Sequence, residues 1–237
     1  MNIEVPHIAL IYFSRNTDAE SHAKHWFGNK RAKNRAIASS LQLQTSRIVQ
    51  EAGFPVFHYH EGNQRGDTFG QRLAHAYEEV FALGYQAVIA VGNDSPELGQ
   101  TDWETTAQKL SAGICVLGPS LRGGAYFIGI TREAFHKNVF QNLPWKTNRL
   151  FEALRQFCSY KNQAAHLIAP LRDINSLYDL RAIVKSAFIT QGFKRQLLFL
   201  LAEYKKYIAE APVNILSTFS PEIGPSRAPP ILPVILH

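Results

Sequence analysis

The segment Val88-Ile-Ala-Val-Gly-Asn-Asp-Ser-Pro-Glu-Leu98 limits what this chain can fold into more than any other. Small and β-branched apolar residues run to Val91 and stop abruptly at Gly92, Asn93, Asp94, Ser95 and Pro96. A strand without polar alternation is buried on both faces, and proline ends it. Such a strand delivers one carboxylate, Asp94, to the edge of a sheet, and open α/β sheets bind ligands beyond the carboxyl ends of their strands. An acid there suits a metal ion and a phosphorylated ligand. A turn, or a cap on the following helix, explains Asp94 equally well at this point.

Elements of both kinds alternate around this strand. Ile8–Phe13 reads as an apolar strand running into a polar loop, Ser14–Asn29. Helical spacing follows over Lys30–Glu51, ended by Gly53, and then a short strand over Pro55–His60. Thr68–Leu83 has the spacing of an amphipathic helix, with Leu73, Ala76, Tyr77, Val80 and Phe81 inward and Gly84 after it. A helix over Thr101–Ala112, strands over Ile114–Leu117 and Ala125–Ile130 around Gly118–Gly124, a helix over Thr147–Tyr160 capped by Thr147, and a strand over Ala165–Ala169 complete the series. This order predicts an α/β three-layer sandwich with a mostly parallel central sheet. Residues 1–180 are expected to form that unit. Residues 181–237 are expected to add a C-terminal helical segment (Asp179–Ala209) and a proline-rich arm (Ala211–His237), whose apolar end points to a homodimer with exchanged arms.

Composition narrows the function classes. The 237 residues carry a net charge of +6, a moderate excess rather than the footprint of a nucleic-acid binder. Arg15, Lys24, Lys30, Arg31, Lys33 and Arg35 concentrate that charge near the N-terminus, where it suits a phosphorylated ligand or a solvated helix face. Cys115 and Cys158 read as buried thiols, no apolar run reaches membrane-spanning length, and a cytoplasmic location is the expectation. His22 and His25 read as solvated loop residues, and His58 and His60 as one face of an edge strand without a chemical role.

Five segments share a pattern, in order. They are Gln64-Arg-Gly-Asp-Thr-Phe-Gly-Gln-Arg-Leu73, Gly92-Asn-Asp-Ser-Pro-Glu-Leu98, Leu117-Gly-Pro-Ser-Leu-Arg-Gly-Gly-Ala-Tyr-Phe-Ile-Gly129, Pro144-Trp-Lys-Thr147 and Asp173-Ile-Asn-Ser-Leu-Tyr-Asp-Leu180. Together they resemble the bacterial glycosyltransferase-A-like family of selenodomain-associated transferases, relatives of nucleotide-diphospho-sugar transferases. The resemblance implies a GT-A-like sheet with a nucleotide over the loop after the first strand. It implies Mg²⁺ or Mn²⁺ at Asp94, with Asp173 as second acid and catalytic group. Ser14, Arg15, Lys24, Arg72 and Asn93 fall to the nucleotide, and Arg122, Gly123 and Gly124 to the substrate.

Three departures from the pattern matter. The first loop, Phe13-Ser-Arg-Asn-Thr-Asp-Ala-Glu-Ser-His-Ala-Lys24, keeps Phe13, Arg15 and Lys24 but lacks the pattern's proline and glycine, and Asp18 and Glu20 bring acid where phosphates approach. Arg122 stands where the pattern has aspartate, and Asn175 replaces another. The expected activity is transfer from a nucleotide sugar. Nucleotidyl transfer from a nucleoside triphosphate and a non-catalytic homologue are the alternatives.

Overall fold

A computed structural model of the chain describes residues 7–159 and 164–210, with side chains through Glu203. The proline-rich arm expected over 211–237 lies outside the described residues.

Strands β1 (Ile8–Phe13), β2 (Val56–Tyr59), β3 (Ala87–Val91), β4 (Val116–Pro119), β5 (Ala125–Thr131) and β6 (His166–Leu167) form one sheet, in the order β2-β1-β3-β5-β4-β6. All pairings are parallel except those of β5, which runs antiparallel to both β3 and β4. The glycine-rich connection accounts for that exception: β4 and β5 are joined by a turn too short for a crossover helix, so the chain must reverse.

Period-two alternation sorts each central strand between two cores. Ala9, Ile11, Val88, Ala90, Leu117, Ile128 and Ile130 face α3 (Phe69–Ala82), α5 (Lys137–Phe140) and α6 (Leu150–Phe157). Ile8, Leu10, Tyr12, Ala87, Ile89, Val91 and Phe127 face α2 (Arg31–Glu51) and α4 (Trp103–Ser111). The expected three-layer sandwich is therefore present, with apolar strands buried on both sides. Helix α3 begins where Thr68 and Gln71 form a reciprocal capping box, and it is followed by Gly84 at φ +104°.

A third core joins α2, through Ile37, Ala38 and Leu41, to Leu180 and Ile183 of α7 (Leu177–Ile183) and Phe193 and Leu197 of α8 (Gln191–Glu210). The boundary expected at residue 180 thus falls inside a helix, and the described part of the C-terminal segment shares a core with α2.

Two readings are corrected. Ser14–Asn29 is not all loop: Thr17–Ala23 forms α1, capped by the Asn16 side chain, which accepts from Ala19 N at 2.8 Å. Thr147 is not the cap of α6. The helix starts at Leu150, after a turn in which Thr147 Oγ1 donates to Pro144 O at 2.7 Å.

Candidate active site

The carboxyl ends of β1 and β3 open into a cavity of about 350 Å³. Phe13, Ser14 and Arg15 bring the end of β1 to it, and Gly92, Asn93, Asp94 and Ser95 the end of β3. Asp173 arrives from far along the chain because Ile174 N donates to Asp94 O at 2.8 Å, which ties the two loops together by their backbones. The two acids expected to cooperate do share one cavity.

Helix α1 adds the groups that set the electrostatics. It presents Glu20, which is buried, and its last turn leads to Lys24. The Lys24 ammonium contacts Glu20 at 3.1 Å, donates to Ile174 O at 3.2 Å and forms a close ion pair with Asp94. Two hydrogen bonds, to Asp94 and Ile174, and an ion pair with Glu20 thus hold it. Arg15 closes the network on Glu20 at 3.1 Å. Burial by itself would lower the Lys24 pKa, but Asp94 and Glu20 outweigh it and raise it above the ordinary lysine value. Glu20, which the sequence suggested would repel phosphates, instead holds both cations of the first loop.

Burial raises the pKa of Asp173 above the usual aspartate value. Asp94 adds to that shift, while Ser120, Ser95 and Lys24 work against it. Ser95 Oγ donates to Asp173 Oδ1 at 2.9 Å. The Asn93 side chain is buried in the cavity wall, and its amide nitrogen has no partner among the described residues. A buried donor of that kind is costly unless something meets it.

A divalent ion does not fit this donor set. The Asp94 carboxylate already carries an ammonium, against which a second cation would be repelled. Among the described residues, no group of three or more His, Cys, Asp or Glu side chains is disposed to hold a metal. The Mg²⁺ or Mn²⁺ expected at Asp94 and Asp173 thus finds its position taken by Lys24.

Arg72 lines the cavity from α3, with its guanidinium donating to Gly66 O and Asp67 O at 3.3 and 3.0 Å. Gly124 also lines it. Arg122 and Gly123, expected at the substrate, are not among its lining residues. Arg122 turns to Asp179 of α7, donating at 2.9 and 3.0 Å to a carboxylate fully removed from solvent. Gly123, at φ +82°, is packed against the Asn148 backbone, so its missing side chain admits protein rather than ligand. His58 has a role after all: its ring stacks on Tyr12 at 4.6 Å, and its Nε2 bonds Ser14 Oγ at 2.9 Å.

One cation of the cavity wall, Lys146, escaped the sequence reading. Lys146 lines the cavity in a left-handed backbone conformation, φ +62°, with its ammonium 5.6 Å from the centre of the Phe69 ring. The available signal was a lysine at the third position of Pro144-Trp-Lys-Thr147, where the resembled pattern has serine.

A mostly parallel sheet with one reversed strand, and a cavity at the carboxyl ends of β1 and β3, fit the GT-A-like class of nucleotide-diphospho-sugar-transferase folds. Within that class, residues 30–147 match the model of the family described as "Uncharacterized protein conserved in bacteria (DUF2064)". The fold is similar to that of a proposed nucleotide-diphospho-sugar transferase of Desulfovibrio desulfuricans G20, with a TM-score of 0.68 and 17% identity over 85% of this chain and 98% of that one. A glycosyltransferase involved in glycosylation of the major capsid of PBCV-1 gives a TM-score of 0.40 and 8% identity over 68% and 80% of the two chains. CMP:2-keto-3-deoxy-manno-octonic acid synthetase, complexed with CTP, gives 0.36 and 12% over 74% and 96%. No curated protein matches the chain.

Proposed function

We propose that this protein is a transferase that takes a nucleotide-activated donor, a nucleotide sugar, into the cavity at the carboxyl ends of β1 and β3. One observation carries the reading: Asp94 and Asp173, from segments far apart in sequence, meet in a single cavity whose wall also holds Arg15 and the unpartnered amide of Asn93. Arg15 is half exposed and has donors to spare beyond its contact with Glu20, which suits a phosphate oxygen. Lys24 offsets the charge of the acids without a bound ion. Asp173 is the group suited to take a proton from an acceptor hydroxyl, because burial makes its carboxylate more basic than usual. No step in this reading passes through a divalent metal.

The discriminating experiment is thermal unfolding with UDP-, GDP- and CDP-linked sugars and the matching triphosphates, each with and without Mn²⁺. A ligand at a hundred times its Kd adds about 2.7 kcal/mol to stability, an easily read shift. Stabilisation by a nucleotide sugar without any need for Mn²⁺ is the expected result, and product formation with an acceptor panel then establishes transfer. Failure of every nucleotide to move the transition would sink the proposal. A non-catalytic binder of the same ligands has one observation in its favour, the engagement of Lys24 by oxygens of Asp94, Ile174 and Glu20. Stabilisation without turnover would select it.

A further inference from the structure

Lys146 occupies a conformation that its side chain disfavours. Thr147 N donates to Pro144 O at 3.3 Å, closing a four-residue turn with Lys146 at the third position and φ +62°. Turns of this geometry favour glycine or asparagine there, because a Cβ crowds the backbone at positive φ. The strain persists because the preceding residue is pinned. Trp145 packs on Phe69 and Phe140 at 5.4 and 5.0 Å between ring centres, and its Nε1 donates to Phe140 O at 3.0 Å.

Nothing in the fold requires a lysine at this place. The Lys146 ammonium has no carboxylate or carbonyl partner among the described residues; its one contact is the face of Phe69. The other two cations in the cavity wall are met by protein oxygens, Arg15 by Glu20 and Arg72 by the carbonyls of Gly66 and Asp67. Local strain held at a cavity wall, on the one wall cation whose charge the protein leaves unanswered, is the pattern of a functional constraint.

We infer that Lys146 is an anion-binding, specificity-determining residue of the cavity, contacting a phosphate or carboxylate group of the ligand. The identity of that ligand rests on the donor reading above; the anion contact itself does not. An exposed ammonium held over an aromatic face keeps its N–H donors free, which suits a tetrahedral phosphate or a sugar carboxylate. Within the cavity the acids near Lys24 are already neutralised, so Lys146 and Phe69 mark the wall where added negative charge is welcome.

The test compares the full chain with Lys146→Gly, which relieves the backbone, and Lys146→Met, which keeps the stem and removes the charge. Without ligand, Lys146→Gly should melt within about 2–4 °C of the wild type, since the turn no longer holds a side chain at positive φ. Binding of inorganic pyrophosphate, UDP-glucose and UDP-glucuronate is then measured by calorimetry. Loss of a charge-assisted contact should weaken binding by about tenfold in both variants. An equal loss on pyrophosphate and both sugars assigns the contact to phosphate. A loss confined to UDP-glucuronate assigns it to a carboxylate on the sugar. If no probe binds either variant more weakly than the wild type, the inference is overturned, while wild-type binding of the nucleotide sugars leaves the donor reading standing. Lys146-dependent binding of pyrophosphate without any nucleotide response overturns the donor reading instead. Silence of the wild type toward every probe overturns the anion contact, and the donor reading falls with it only if the GDP- and CDP-linked sugars fail as well.

Discussion

The Lys24 ammonium sits directly on the Asp94 carboxylate, joining the last turn of α1 to the carboxyl end of β3. The pair converts what reads in sequence as an acid awaiting a metal into an acid already neutralised by the protein, with Glu20 sharing the same cation. Charges removed from water are stable together and costly apart.

Lys24→Met should therefore destabilise the protein by roughly 2–4 kcal/mol at pH 8, as it strips the cation from buried Glu20 and from Asp94. The Lys24 pKa is raised in the folded state, so its contribution is intact below the unfolded value near 10.5 and fades as pH climbs through the folded one. Urea midpoints of wild type and variant should accordingly converge as pH climbs through that raised value. Mn²⁺ should leave the wild-type melting point unchanged and raise that of Lys24→Met, whose Asp94 is open to a cation. A Mn²⁺ response of equal size in both proteins would show that Lys24 does not fill the metal position.

Asp173→Asn should separate function from stability. The folded-state pKa of Asp173 is raised, so its ionised form is a liability at neutral pH, and the variant should melt at or above the wild-type temperature at pH 7. Turnover should fall about a hundredfold or more if Asp173 accepts the acceptor's proton. In the wild type, kcat/KM should decline with falling pH from a point above the ordinary aspartate range, and that acid limb should vanish in the variant.

Asp179→Asn addresses the latch that took Arg122 away from the ligand. Burial alone would raise the Asp179 pKa, but Ser176, the Asn175 N–H and Arg122 outweigh it and hold the carboxyl below its usual value. Its contribution is thus present above about pH 3.8 and lost as pH falls through the lower folded value. Removal should cost about 2–4 kcal/mol at pH 7 by guanidinium denaturation. The gap to wild type should narrow steadily as pH falls below the ordinary aspartate value, and a gap independent of pH would rule out the charge as its source.

Gly70→Ala sets helix propensity against packing. In an exposed helix interior the substitution gains up to about 1 kcal/mol. Here a methyl group would collide with the Gln141 carbonyl oxygen and come within 2.5 Å of the Trp145 ring. We expect a net loss of about 1–3 kcal/mol, together with weaker ligand binding, because Trp145 and Lys146 shift with the displaced segment. A stabilised variant would contradict the close approach.

The local rules of the chain were legible in its sequence. Period-two and helical spacing located the strands and longer helices, Thr68 and Gly84 marked the bounds of α3, and the break after Val91 put Asp94 at a strand's carboxyl end. These signals are carried by neighbours within a few residues, whose backbone preferences and burial pattern act before any long-range contact forms. Helix α1 gave no such signal: among Thr17–Ala23 the only buried side chain is that of Glu20, which carries charge, so no apolar stripe announces the helix. Tertiary structure alone decided which charges meet. Lys24 finds Asp94, Arg122 finds Asp179, and Lys146 meets no acid among the described residues because the loops that converge are fixed by how the sheet and three cores pack. The sequence by itself determined where Asp94 stands; packing determined that an ammonium from the protein's own first loop stands against it.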